Sequence, residues 1–304
     1  MNTPPDNIPV STGVGDPGYK AAPRPFYWSV KRELWENRSI YIAPLIVMAV
    51  ILLGALIGSG HLPQRRRNAM LLDEMRRRAA IEIPYDIVAM MLILTALIVG
   101  FFYCLDALYA ERRDRSILFW KSQPVSDFKS VLAKASIPLL VLPAIVFVIV
   151  VATQFVIMLI STAVLIPSGL GGTTWSNFNL LQQSLILLYS LIVIALWHAP
   201  IYGWALLISA IARRATFLWA VLPAFAIGVF EKITFNTSYF GAMLRDRIFG
   251  AGDTAFDLQS HHPLVIAHLT PLRFLSTSGL WIGLLFAVGF VAAAIRLRRY
   301  HGPI

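Results

Sequence analysis

Cysteine and charge are what this chain has least of, and each shortage removes whole classes of chemistry. Cys104 is the only cysteine, so no disulfide and no CxxC metal or redox site can form; it lies in an apolar run and reads as a small packing residue. Charged residues make up 14% of the 304 positions and hydrophobic residues 57%, an apolar load beyond what a globular core of this length absorbs. Phosphate-binding loops are missing too. Gly13, Gly15 and Gly18 match GxGxxG by letters, but no strand and helix flank them, and Tyr19 stands where a Walker A loop needs lysine. Gly169, Gly171 and Gly172 belong to a turn, SGLGGTTW, and not to an LSGGQ-like signature. HExxH is absent, and Ser126-x-x-Lys129 matches SxxK without the partner motifs of that chemistry. The chain is therefore read as no enzyme, with any ATP hydrolysis on another polypeptide.

Long apolar runs are plentiful. A span of about 20 residues crosses a hydrocarbon core, and six windows qualify, at 40–60, 86–109, 134–165, 181–211, 215–235 and 278–297. With a mean hydropathy of +0.68, the fold class expected is an all-α polytopic membrane protein of six transmembrane helices, a domain covering 40–298. Pro138, Pro143, Pro200 and Pro223 lie within these windows, where each removes a backbone donor and can bend its helix.

The net charge is +10, and the basic residues cluster at the borders of apolar runs. That pattern fits topology and anionic headgroups, so the lipid bilayer is the expected partner and nucleic acid is not. With both termini on the cytoplasmic side (N-in/C-in), most lysines and arginines of the connections fall inside. The first outside connection still carries Arg65 to Arg67 and Arg76 to Arg78, an awkward load for a translocated loop.

Residues 1–24 are rich in Pro, Gly and small polar residues and read as a disordered cytoplasmic tail; no short apolar segment with a cleavage site marks a signal peptide. Residues 25–39 differ. Phe26, Tyr27, Val30 and Leu34 share a helical stripe beside Trp28 and Trp35, with Lys31, Arg32, Glu33 and Arg38 on the remaining surface. This is the pattern of an interfacial elbow helix, or of a first span that starts early. Residues 299–304 form a second short cytoplasmic tail.

Between the second and third windows a charged block runs from Asp106 to Lys134. Charges of this density cannot lie in lipid, so the block belongs at a membrane face. Glu111, Arg112, Arg113, Asp114 and Arg115 extend the second helix with ion pairs at helical spacing. Phe119 and Trp120 return to apolar character, Gln123-Pro124 breaks the helix, and Ser126 is the expected N-cap of a new helix near Asp127. The block is either a docking element or a solvated loop with snorkelling basic residues.

The run YAERRDRSILFWKSQPVSD, Tyr109 to Asp127, resembles the segment between the second and third spans of ABC-2 type transporter permeases. Glu111-Arg112 supplies that family's "ER" start, and Trp120 to Ser126 its "PVS" ending. The elbow, six spans and a long connection before the last span extend the likeness over 25–298. The arginine-rich first outside connection departs from commoner members and leaves the cargo open.

The resemblance implies a permease of the bacterial cytoplasmic (inner) membrane, exporting a substrate with a second permease copy and an ATP-binding cassette ATPase subunit as partners. Cofactors would be absent from this chain, with ATP and Mg on the ATPase. Residues 109–127 would be the coupling segment, with Arg112, Arg113, Asp114 and Arg115 in ion pairs and Phe119 and Trp120 in apolar contacts. An extracellular gate would fall within 236–277.

Gly54 and Gly58 form GxxxG in the first span, and Gly279 and Gly283 in the last; such pairs let helices approach closely and are candidates for contact between permease copies. Thr153, Gln154, Ser161, Thr162 and His198 are the polar groups within spans, suited to interhelical hydrogen bonds or to lining a path. Segment 236–277 reads as re-entrant or surface-lying, with Phe240, Met243, Leu244 and Ile248 on one helical face. His261, His262 and His268 lack the cysteines or clustered carboxylates of a metal site, so no metal is expected. A secondary transporter, whose coupling charges sit at mid-membrane, has only Glu231-Lys232 to offer; it and a membrane-embedded scaffold without an ATPase are the alternatives.

Overall fold

The computed structural model describes residues 25–116, 126–257 and 266–300, and these are almost wholly helical. Among the described residues no strand forms, and an isolated antiparallel bridge joins Phe256 to Leu269. In chain order the helices are α1 Pro25–Glu36, α2 Ser39–Gly58, α3 Leu62–Met70, α4 Glu74–Ala107, α5 Tyr109–Arg113, α6 Asp127–Ser136 and α7 Leu142–Leu165. There follow α8 Thr173–Asn177, α9 Leu180–Ile211, α10 Thr216–Phe235, α11 Tyr239–Phe249, α12 Ala251–Ala255, α13 Pro271–Ser276 and α14 Ser278–Tyr300. Six of these stretches, built on α2, α4, α7, α9, α10 and α14, are long and apolar enough to cross a membrane.

The six windows all recur as helices, and several run further than hydropathy alone suggests. Helix α4 begins at Glu74, capped by Asp73, whose carboxylate accepts from Arg76 N at 3.4 Å. Its 34 residues make a rod of about 51 Å, so its first turns, with the arginines at 76–78, stand beyond an apolar core of about 30 Å. Pro138 falls in a π-turn, Ile137–Val141, that joins α6 to α7, as a missing backbone donor favours.

Helix α9 is the centre of the bundle. Half of its most apolar stretch is buried, against 11% for that of α2 and 6% for that of α10. The main core gathers Leu92 and Tyr103 of α4, Leu142 and Val146 of α7, and Leu206 of α9. In lipid, apolar side chains gain little by meeting one another, so close packing and hydrogen bonds decide where helices cross. Two glycines set those crossings. A Cβ at Gly100 would come within 3.2 Å of Tyr202, and one at Gly203 would come 3.1 Å from Ala287 O on α14.

Beyond α10 the chain turns back. Asn236 takes a left-handed conformation (φ 53), and Glu231 accepts from Tyr239 N at 2.6 Å, Phe240 N at 2.9 Å and Thr237 Oγ1 at 2.8 Å. A carboxylate on the free N–H groups of a helix start is a stabilising cap, so Glu231 starts α11. Trp197 Nε1 then donates to Asp246 O at 3.2 Å. Trp197 lies about 21 Å from the Ile211 end of α9, so α11 meets the bundle within the length of a span.

Candidate functional site

The described start of the 109–127 segment, residues 109–116, is fixed by a joint built on the end of α9. Helix α4 stops at Ala107 and α5 starts at Tyr109, and the break frees backbone donors that an unbroken helix would use. Ser209 Oγ, fully buried, accepts from both Leu108 N and Tyr109 N at 2.8 Å. Arg112, also buried, donates Nη1 to Ala210 O and Nη2 to Ala212 O at 2.6 Å, closing the free carbonyls at the C-terminus of α9. A cation there complements the helix dipole as well as the hydrogen bonds.

One turn away, four helices share a buried set of charges. Glu33 of α1 is 1% exposed, Lys134 of α6 2%, Arg298 of α14 4% and Glu111 of α5 7%. Lys134 Nζ lies 2.9 Å from Glu33 Oε1 and 3.2 Å from Glu111 Oε1. Arg298 holds Glu111 Oε2 through Nη2 at 3.0 Å and Nε at 3.2 Å, and its Nη1 donates to Asp127 Oδ1. Tyr103 Oη of α4 donates to Glu33 Oε2 at 2.8 Å. Arg32 closes the rim, 2.8 Å from Glu33 and 3.6 Å from Glu111.

The fully buried part is balanced, two carboxylates against two cations, which is the condition for keeping charge away from water. Burial pushes the Glu33 carboxyl up, but the Lys134 ammonium and the Arg32 guanidinium outweigh it and leave the group below its ordinary value. Glu36, half exposed on the same helix, has its carboxyl raised, chiefly by burial.

The sequence-predicted coupling residues thus divide. Glu111 and Arg112 face inward and are bonded within the chain, whereas Arg113 and Asp114 are exposed and pair with each other at 2.9 Å. Arg115 is exposed in a left-handed turn (φ 57). Ser126 does cap α6, accepting from Lys129 N at 3.4 Å. Phe119 and Trp120 lie outside the described residues. In α1 the inner face carries Glu33 with Val30 and Leu34 against the core, so Glu33, assigned by pattern to the solvated side, is its most buried residue.

The polar groups within spans mostly join elements. Gln154 Nε2 donates to Tyr85 O at 3.2 Å, and Trp175 Nε1 to Thr162 Oγ1 at 2.9 Å. Thr153 bonds back to Ile149 O at 2.6 Å. His198 sets its two ring nitrogens against Ile194 O at 2.9 Å and Ile248 O at 3.2 Å, tying α11 to α9.

The two GxxxG pairs also part company. A Cβ at Gly54 or Gly58 would meet nothing within 4 Å, whereas one at Gly283 would lie 2.6 Å from Arg247 Nη2. Arg247 occupies that space, donating to Gly279 O at 2.6 Å and stacking 4.4 Å from the Trp197 ring centre. The pair in α14 therefore makes room for Arg247 of α11 in the same chain.

Among the described residues no cluster of His, Cys, Asp or Glu could hold a metal ion; His261 and His262 lie outside them, as do Gly13, Gly15 and Gly18. No family model, curated protein or solved structure matches the chain. Sequence reasoning missed Glu33, Lys134, Ser209 and Arg298 as parts of one site. A charged residue on an otherwise apolar helix face was the available signal for Glu33.

Proposed function

We propose that this chain is the permease subunit of an ATP-binding cassette exporter in the bacterial cytoplasmic membrane, with α1 as its interfacial elbow and both termini inside. A separate ATPase, carrying ATP and Mg, docks on residues 109–127, and two permease copies form the path. One observation carries the reading: the base of that segment is locked to α1, α6, α9 and α14 by the Glu111–Lys134–Arg298–Glu33 network and the Ser209–Arg112 joint. A push on the exposed part of a segment so anchored is delivered to several helices together, as a rigid-body transition requires.

Docking falls to Arg113, Asp114 and Arg115, since Glu111 and Arg112 are committed inside. Arg115 supports this: a left-handed position usually goes to glycine, and keeping arginine there holds a cation on an exposed turn at a cost in backbone strain.

The test is charge reversal, Arg113→Glu with Arg115→Glu, in membranes that also contain the candidate ATPase. Copurification and stimulated ATP hydrolysis should be lost while the permease still inserts and accumulates. Unchanged association and stimulation would refute the assignment.

A further inference from the structure

Helices α2, α3, α4 and α7 line a half-open pocket of about 240 Å³ at the far end of the bundle. Tyr85 in its wall and Tyr103 in the ion network are separated by about 27 Å along α4. Two arginines line it, Arg65 and Arg66, and no lining residue is acidic. Arg66 is 6% exposed. Its Nη2 donates to Thr174 Oγ1 at 3.1 Å, while Nη1 has no hydrogen-bond partner; the Tyr85 hydroxyl lies beside it, against Ser161 of α7. The rest of the wall is apolar or small, including Gly54, Ala55 and Ile157, and the missing side chains of Gly54 and Gly58 leave open space.

A buried guanidinium without a counter-ion is among the least favourable arrangements a protein can hold, and here it borders a pocket large enough for a ligand group. We propose that Arg66, with Tyr85, binds the anionic head of an amphiphile, of the phosphate or carboxylate class, whose apolar part lies against Gly54, Ala55 and Ile157. A planar guanidinium with free donors suits two oxygens of such a head. The site also gives the arginine-rich connection after the first span a purpose that topology does not. It stands whether or not an ATPase drives the opposite end.

The test uses the full-length protein, delipidated in neutral detergent, with thermal unfolding followed against dodecyl phosphate and against inorganic phosphate. Dodecyl phosphate should raise the Tm of the wild type, and Arg66→Met should weaken its apparent affinity about tenfold or more, the loss of one charge-assisted contact. Tyr85→Phe should weaken it less. Arg66→Gln, which keeps a donor for Thr174 but no charge, gives the same readout if the methionine variant fails to accumulate.

Native mass spectrometry after reconstitution with phosphatidylglycerol or phosphatidylcholine identifies the source of the head. Arg66-dependent retention of phosphatidylglycerol points to bilayer lipid, and binding of dodecyl phosphate without such retention points to a mobile amphiphile. Equal shifts in wild type and Arg66→Met, no shift in the wild type, or an equal effect of inorganic phosphate would overturn the proposal.

Discussion

Arg298 and Arg66 are buried to nearly the same degree, 4% and 6% exposed, yet they live under opposite electrostatic conditions. Arg298 is held by Glu111 and Asp127 within a network that also binds Glu33 and Lys134. Arg66 has one hydroxyl partner and a half-open pocket. Burial of a charge is thus no single property: the first arginine closes an internal joint, and the second is left incomplete by its own chain. Charge that a protein neutralises itself serves its structure, while charge it leaves open invites a ligand.

Removing one carboxylate from the closed end is the strongest way to test this contrast. Glu111→Leu leaves Arg298 and Lys134 facing each other without their shared partner, and breaking a buried pair costs about 3–5 kcal/mol. A large fall in Tm, or failure to accumulate in the membrane, is the expected result. Arg66→Met should do the reverse in delipidated detergent, with stability unchanged or raised, because a buried uncompensated charge is deleted. Equal losses in the two variants would erase the distinction.

Acid titrates the same end more gently. The Glu33 carboxyl lies below its ordinary value of 4.5 when folded, so folding favours its ionised form. Its stabilisation is complete above the unfolded value and is lost as pH falls through the folded one. Wild-type stability should therefore hold down to about pH 5 and drop below the ordinary carboxylate range. Glu33→Gln should start lower at neutral pH and change less across that acid window.

The glycines extend the comparison to helix contacts. Gly283→Ala places a methyl 2.6 Å from the tip of the Arg247 side chain, which must swing aside and give up its bond to Gly279 O, and should cost about 1 kcal/mol, the net worth of a hydrogen bond, read as a lower Tm. Gly58→Ala meets nothing within 4 Å and should leave the single chain within about 0.5 kcal/mol of wild type. A loss of oligomer in Gly58→Ala at unchanged Tm would place a second copy against α2.

The six spans were legible because hydropathy over twenty residues is a local signal, and Ser126 was legible because a cap acts within one turn. The ion network was not. Glu33 and Arg298, the first and last of the four charges that include Glu111 and Lys134, stand 265 residues apart, and each of the four, taken alone, looks like an ordinary charge beside a membrane. Only the folded chain brings α1, α5, α6 and α14 together. The GxxxG letters were equally visible at both ends of the sequence, but which pair packs against Arg247 of its own chain depended on where α11 folds back. In the sequence Arg66 reads only as one of a cluster of arginines after the first apolar run; its burial against Thr174, more than a hundred residues away, needed the fold.

The smallest expected effect separates folding from docking at one residue. Arg115 holds a left-handed backbone (φ 57), a conformation that costs a side-chain-bearing residue roughly 1–2 kcal/mol relative to glycine's ready access to it. Arg115→Gly relieves that strain but adds freedom to the unfolded chain, so the net gain should be under about 1 kcal/mol, visible as a slight rise in Tm. If Arg115 were an ordinary solvated residue, the variant would be slightly more stable and otherwise unaltered. As a docking cation it should be more stable and weaker in ATPase association at once, a combination that loss of structure cannot produce.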